Sequence, residues 1–170
     1  MDKVQKFYHV TLPFFKTKIT NGHKLIPQIH NPSQEWMWLL DSKYKNKIPK
    51  LVWFCATLYN GDLPNISPYG KERVRLPIDK LLRQLGGKVN VYRGKDAQVN
   101  TNKYIRLMLV KEGDYFDCLE HMEKLNFEDN DLLKFISDSE FEVAKRPNWV
   151  EIACPYEVDV TEGEWDTLNK

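Results

Sequence analysis

The side chains most able to do chemistry in this chain are a histidine and a threonine near its start and a glutamate near its end. His9 and Thr11 lie two residues apart in the run FYHVT, and side chains two apart in a strand project from the same face. An imidazole and a hydroxyl so placed can both hydrogen-bond one ligand, for example a ribose. Glu151 lies in the apolar run WVEIAC, so its carboxylate faces either solvent or a polar cleft. In a cleft it would stabilise a developing positive charge or position a nucleophile.

Three further candidates come from the middle of the chain. Tyr69 lies in the turn sequence SPYG, within a long loop over 59–72 that is rich in Gly, Pro and aromatic residues. Loops of that length tend to be functional, and a tyrosine there can stack on a flat ligand. Arg73 and Arg75 alternate with apolar residues in the strand that follows, so both can clamp a phosphate from one face.

Each candidate also has a structural interpretation, which the sequence alone leaves open. A lone His-x-Thr is common, and its histidine is most often a satisfied structural residue. Glu151 would do nothing on the solvated face of an edge strand, and the two arginines would do nothing on a solvated face. Tyr69 could instead cover the core beneath its loop.

The elements that must position these side chains are mostly strands. Alternating or continuous apolar runs predict strands, and helical spacing with nearby caps predicts short helices. The predicted strands are 7–11, 51–58, a strand containing Arg73 and Arg75, 89–92, 104–110, 141–144 and 149–154, and the predicted helices are 14–21, 34–41, 79–85, 114–125 and 129–136. Residues 95–102 read as a loop. Strands outnumber helices, so we expect an α+β fold with a mostly antiparallel sheet.

Length and composition narrow the class of protein. A chain of 170 residues, 42% hydrophobic and 29% charged, suits one soluble domain over 1–170, with a frayed tail from about residue 160. The net charge of +1 makes nucleic acid an unfavoured partner. No apolar run approaches the ~20 residues needed to cross a membrane. Three cysteines without short spacing disfavour a disulfide framework or a metal site. Together with the lack of a run that could cross a membrane, this leads us to expect a cytoplasmic protein.

Several catalytic classes lack their sequence signatures. The chain has neither a glycine-rich phosphate-binding loop nor a Gly-x-Ser-x-Gly elbow. A two-histidine phosphoesterase needs His-x-Thr twice, and none of His23, His30 and His121 is followed by x-Thr. That class remains only as a distant alternative.

The run VWFCATLYNG…SPYGKERVRLPIDKLL, continued by YIRLMLV and WVEIACPYEVDV, resembles the C-terminal domain of the phytanoyl-CoA hydroxylase-interacting protein family. The resemblance extends from about Leu51 to Val160. It implies a non-catalytic module that binds a protein partner or a small ligand.

The order of the elements is similar to the ADP-ribosyltransferase fold, in which a first strand carries Tyr-His-x-Thr and a late strand presents a glutamate before a proline. This resemblance implies that His9 and Thr11 hold a ribose of NAD and that Tyr69 stacks on nicotinamide. Glu151 would orient the ribose 2′-hydroxyl and stabilise an oxocarbenium-like transition state.

Two hypotheses therefore stand. In the first, the protein binds a nucleotide and is an NAD-dependent ADP-ribosyl or glycosyl transferase, with His9, Thr11 and Glu151 meeting in one cleft. In the second, it is a binding module of the interaction-protein type, with His9 and Glu151 on different faces or buried against structural partners.

Overall fold

The computed structural model describes residues 6–11, 19–27, 49–56, 72–94, 97–99, 102–125 and 149–167. Within these ranges the fold is α+β and rich in strands, as predicted. The strands are β1 (Lys6–Thr11), β2 (Lys24–Leu25), β3 (Val52–Ala56), β4 (Glu72–Pro77), β5 (Val89–Arg93), β6 (Ala97–Val99), β7 (Asn102–Lys111), β8 (Glu123–Leu125), β9 (Trp149–Cys154), β10 (Val158–Asp159) and β11 (Glu164–Thr167). Helix α1 spans Ile78–Gln84, and a 3-10 helix spans Asp117–His121.

Nine of the described strands form one sheet, in the order β11-β4-β1-β3-β9-β7-β5-β8, with β6 paired to β7. The remaining two, β2 and β10, pair separately. Every described pairing is antiparallel except that of β7 with β9, which is parallel. The sheet is therefore mostly antiparallel, as expected, and β9 with its glutamate lies at the centre between β3 and β7.

Each face of the sheet has its own hydrophobic core. Helix α1 covers the first face, where Ile78 and Leu81 belong to the same buried cluster as the strand residues Phe54, Val74 and Ile152. We call this the α1 face. The second face of the sheet carries a smaller buried cluster, in which Leu51, Met108 and Ala153 pack with Cys118 and Leu119 of the 3-10 helix. We call this second side the Glu151 face, because Glu151 lies two residues before Ala153 in β9.

One predicted helix is wrong. Residues 114–116 are neither helix nor strand, and the 3-10 helix and strand β8 follow them, with β8 paired to β5. The apolar residues Phe116, Leu119 and Met122 are spaced three apart, which matches the three residues per turn of a 3-10 helix. They pack with the second cluster without a full α-helix. The expected loop over 95–102 contains β6, which pairs with the start of β7.

The expected frayed tail from residue 160 is ordered as far as Thr167. Strand β11 pairs with β4 over four residues. The physical reason is side-chain complementarity, since acidic residues of β11 face the arginines of β4. The predicted helices over 34–41 and 129–136 and the predicted strand over 141–144 lie outside the described residues. In the described part of the chain, no helix has the length and apolarity that a membrane crossing requires.

Candidate functional site

The centre of the sheet holds an ion pair between its two central strands. Glu151 of β9 and Arg106 of β7 are register partners in the parallel pair, and Arg106 Nε donates to Glu151 Oε2 over 3.4 Å. The Arg106 side chain is 6% exposed and that of Glu151 is 26% exposed. Thus the arginine is buried beside the glutamate, whereas part of the Glu151 side chain remains accessible.

Burial raises the pKa of the Glu151 carboxyl above its ordinary value, and the guanidinium of Arg106 acts in the opposite direction. Desolvation is the larger of the two effects, because removing a carboxylate from water disfavours its charged form. A glutamate of this kind can accept hydrogen bonds when ionised and can hold a proton at higher pH than an exposed glutamate. Such perturbed carboxyls are frequent in binding and catalytic sites.

A transverse row of residues crosses the sheet at the level of Glu151. Going toward the β4 edge, its register partner in β3 is Cys55, the partner of Cys55 in β1 is Tyr8, and the partner of Tyr8 in β4 is Arg75. Directly opposed residues share a face of the sheet. Arg75, and Arg73 two residues before it, are therefore on the Glu151 face, at a distance of three strand spacings or about 14 Å.

Both β4 arginines are engaged by carboxylates of β11. Arg73 donates from Nε to Asp166 Oδ1 over 2.9 Å and from Nη2 to Asp166 Oδ2 over 2.6 Å. Arg75 Nη2 lies 3.2 Å from Glu164 Oε2, and its Nε lies 3.8 Å from Asp166 Oδ2. The hydrogen bonds from Arg73 lower the pKa of Asp166. Two arginines predicted to clamp a phosphate thus hold the chain's own carboxylates.

The Cα register places positions 9 and 11 of β1 in rows other than the row of Glu151. In β1, Tyr8 is level with Cys55 and Glu151, whereas His9 is opposite Val74 and Thr11 is opposite Glu72. Val74 belongs to the core of the α1 face. Since successive residues of a strand alternate between faces, positions 9 and 11 fall in the rows of the α1 face. Tyr69 and the 59–71 part of its loop lie outside the described residues.

Comparisons with known proteins give no relative. No protein-family model matches the sequence, and neither the curated proteins nor the solved structures contain a significant match. Function must therefore be inferred from the chemistry of the described residues.

That chemistry depends on Arg106, Glu164 and Asp166, which were not predicted as functional from the sequence. Arg106 stands alone as a charge in the apolar run YIRLMLV, and Glu151 stands alone in WVEIAC. Two single charges of opposite sign in two apolar strands indicate a buried pair, because an isolated buried charge is costly. The spacing of Glu164 and Asp166 likewise matches that of Arg73 and Arg75, which is the signal for their cross-strand pairing.

The residues carried over from the ADP-ribosyltransferase resemblance fall in register rows of both faces of the sheet, and Tyr69 lies outside the described residues. Glu151 shares a face with Arg73 and Arg75, but positions 9 and 11 belong to the rows of the opposite face. Within the described ranges, no group of three or more metal-ligating side chains comes together. The chemistry that remains is that of a fixed, partly accessible carboxylate on a sheet face.

Proposed function

We propose that this protein binds a nucleotide, or another small ligand rich in hydroxyl groups, on the Glu151 face of its sheet. The observation that carries the proposal is the Glu151 side chain, which remains 26% exposed at the centre of the sheet while a buried arginine pairs with its carboxylate. A carboxylate accepts hydrogen bonds from vicinal hydroxyls such as those of a ribose. A binding group whose geometry is held by a buried neighbour is preorganised for its ligand.

The proposal is for binding and not for ADP-ribosyl transfer. A transferase of the expected kind would have His9, Thr11 and Glu151 around one nucleotide, and the Cα register, which puts Tyr8 in the row of Glu151, gives that arrangement no support. The ligand contacts proposed here require Glu151 alone from that set. This favours the binding-module hypothesis while keeping the nucleotide as the first ligand class to test.

We also propose that the fold is ADP-ribosyltransferase-like and that the protein is cytoplasmic. The support for the fold is the order of a first strand with His9, the apolar strand β3 and a late strand with Glu151 before Pro155. The support for the compartment is that Cys118 and Cys154 are free, buried thiols, as is usual in reducing compartments.

The test is calorimetry and thermal unfolding of the full chain with NAD, ADP-ribose, ADP and adenosine. A ligand at a hundredfold excess over its Kd should stabilise the fold by about 2.7 kcal/mol, which for a domain of this size raises the Tm by about 5–11 °C. Glu151→Gln keeps the shape and removes the negative charge, so we expect this variant to lose most of the shift.

Glu164→Gln is the matched control, because it removes a carboxylate that also pairs with an arginine but lies at the sheet edge. It should retain the shift. If none of the four compounds changes the Tm, or if the two variants respond alike, the proposed site is wrong. Release of nicotinamide from NAD by the wild type but not by Glu151→Gln would show that the transferase hypothesis is the better one.

A further inference from the structure

A strongly acidic segment closes the β4 edge of the sheet. Residues 157–167 contain five acidic side chains and no basic one. Four of these carboxylates lie against basic residues of other elements, in the pairs Glu157–Lys24, Glu162–Lys80, Glu164–Arg75 and Asp166–Arg73. We call residues 157–167 the acidic strap.

Residues 164–167 of the strap bind β4 through both their backbone and their side chains. Its backbone pairs with β4 over four residues, with Glu164 opposite Arg75 and Asp166 opposite Arg73. Its two carboxylates then meet two guanidinium groups on the same side, the inner one through two hydrogen bonds of 2.9 and 2.6 Å. Main-chain pairing provides affinity and alternate side chains provide specificity wherever an extended peptide adds to a sheet.

A close approach at Gly163 sets the position of the strap. A Cβ atom at this residue would lie 2.7 Å from Val74 Cγ2, 3.1 Å from the Val160 carbonyl oxygen and 3.3 Å from that of Arg75. Val74 is fully buried, so its methyl group has little room to move. The strap can therefore pair closely with β4 only if residue 163 has no side chain.

The polar contacts of the strap on either side of Asp166 are exposed to solvent. Glu164 is 63% exposed in its ion pair with Arg75, and exposed ion pairs contribute little. Thr167 is also exposed, and its hydroxyl donates to the Glu72 carboxylate at 3.2 Å. A strand of four residues at the edge of a sheet, held by the Arg73–Asp166 ion pair and by the packing of Trp165 against the core of the α1 face, is among the first elements expected to open locally.

We propose that the outer edge of β4 is a docking site for an extended acidic segment of a partner protein, and that the acidic strap occupies this site within the chain. The recognised pattern is glycine followed by two acidic residues that flank one other residue, as in Gly163-Glu164-Trp165-Asp166. Tethering keeps the strap at a high effective concentration beside β4, so a partner segment binds only when the strap is weakened or outcompeted. The site is separate from Glu151 and does not depend on any ligand there.

The experiment measures binding of a fluorescein-labelled peptide of residues 162–167 to the full chain by fluorescence anisotropy. The host variant Gly163→Ala pushes the strap away from β4 without replacing any arginine or acidic residue. We expect it to bind the peptide about tenfold more tightly than the wild type does, because its own strap competes less. A peptide with Glu164→Gln and Asp166→Asn should bind this variant about tenfold more weakly, since it lacks both charged partners.

Two further controls separate docking from general charge attraction. Arg75→Gln in the Gly163→Ala host should weaken peptide binding, whereas Arg83→Gln should not, because Arg83 is on the exposed side of α1 and pairs with Asp79. A peptide that itself carries Gly163→Ala should bind weakly, because it reproduces the clash with Val74.

Circular dichroism must show that each host is folded. If Gly163→Ala does not fold, Glu164→Gln replaces it as the host with a weakened strap, and we expect about a threefold gain over wild type. The proposal is overturned if a folded host binds the acidic and neutral peptides equally, or if neither host binds more peptide than the wild type does.

Discussion

Truncating Glu151 to alanine tests how strongly the central ion pair contributes to stability. The change leaves Arg106, which is 5% exposed, without the carboxylate that lies 3.4 Å from its Nε. Loss of one member of a buried pair typically costs 3–5 kcal/mol. The single long contact and the partial exposure of Glu151 put this pair below that range, at about 2–3 kcal/mol. The expected fall in Tm is about 4–12 °C for a domain of this length.

The assay is urea unfolding followed by circular dichroism, with Glu164→Ala as the comparison. Glu164 also pairs with an arginine, at 3.2 Å, but is 63% exposed, so its loss should cost less than about 1 kcal/mol. Replacing both central partners, with Glu151→Leu and Arg106→Met, should cost less than the sum of the two single changes, because neither charge is then left without the other. Equal costs for Glu151→Ala and Glu164→Ala, or strict additivity at the centre, would refute the reasoning.

Four other predictions concern two carboxyl groups, the hydroxyl of a tyrosine and two buried thiols. Asp166 has a pKa lowered below its ordinary 3.8, so its stabilisation is present above pH 3.8 and is lost as the pH falls through the folded-state value; Asp166→Asn should flatten the acid limb of a stability–pH curve. Glu151 has a pKa raised above 4.5, so stability should decline as the pH rises from 4.5 to the folded-state value, and calorimetry should show no such decline in Glu151→Gln. Tyr156→Phe removes a hydroxyl that accepts a hydrogen bond from the Lys111 backbone N–H at 2.9 Å and donates one to Asp114 at 2.7 Å. The free energy of unfolding in urea should fall by about 1–2 kcal/mol, and a change near zero would contradict the prediction. Burial raises the pKa of Cys118 to about 11 and of Cys154 to about 12, so iodoacetamide at pH 8 should label both only after unfolding, as read by mass spectrometry; rapid labelling of the native protein would contradict this.

Individual strands could be predicted well because each depends on local sequence. The strand 149–154 was expected at those bounds and was found there. The alternation that sets Glu151 apart from Ile152 was also expected, and Ile152 is buried in the core of the α1 face. Patterns within one strand are sufficient for such predictions, because the period of two is a property of the backbone.

The relation between strands could not be predicted in the same way. Whether His9 and Glu151 share a face depends on the pairing of Tyr8 with Cys55 and of Cys55 with Glu151. A slip of one residue in either pairing would exchange the faces. The register is determined by contacts between residues far apart in the chain, and no local pattern contains that information.

The prediction of a helix over 114–125 was wrong because it, too, depended on contacts between distant strands. Its apolar spacing fits an α-helix loosely and a 3-10 helix closely, and the choice follows from the pairing of its last three residues with β5. Tertiary contacts thus outweighed local propensity, as is common for short elements.

The position of β9 also determines the order in which the molecule can be assembled. Among the described strands, β9 joins the part of the sheet formed by β1, β3 and β4 to the part formed by β5, β6, β7 and β8, although it is made after all of them. During synthesis, the edges of β3 and β7 that will receive β9 remain open until residues 149–154 have left the ribosome. Such edges can pair with other chains. The growing chain is therefore most prone to aggregation just before its central strand is completed, and folding of the sheet must wait for contacts of high sequence separation.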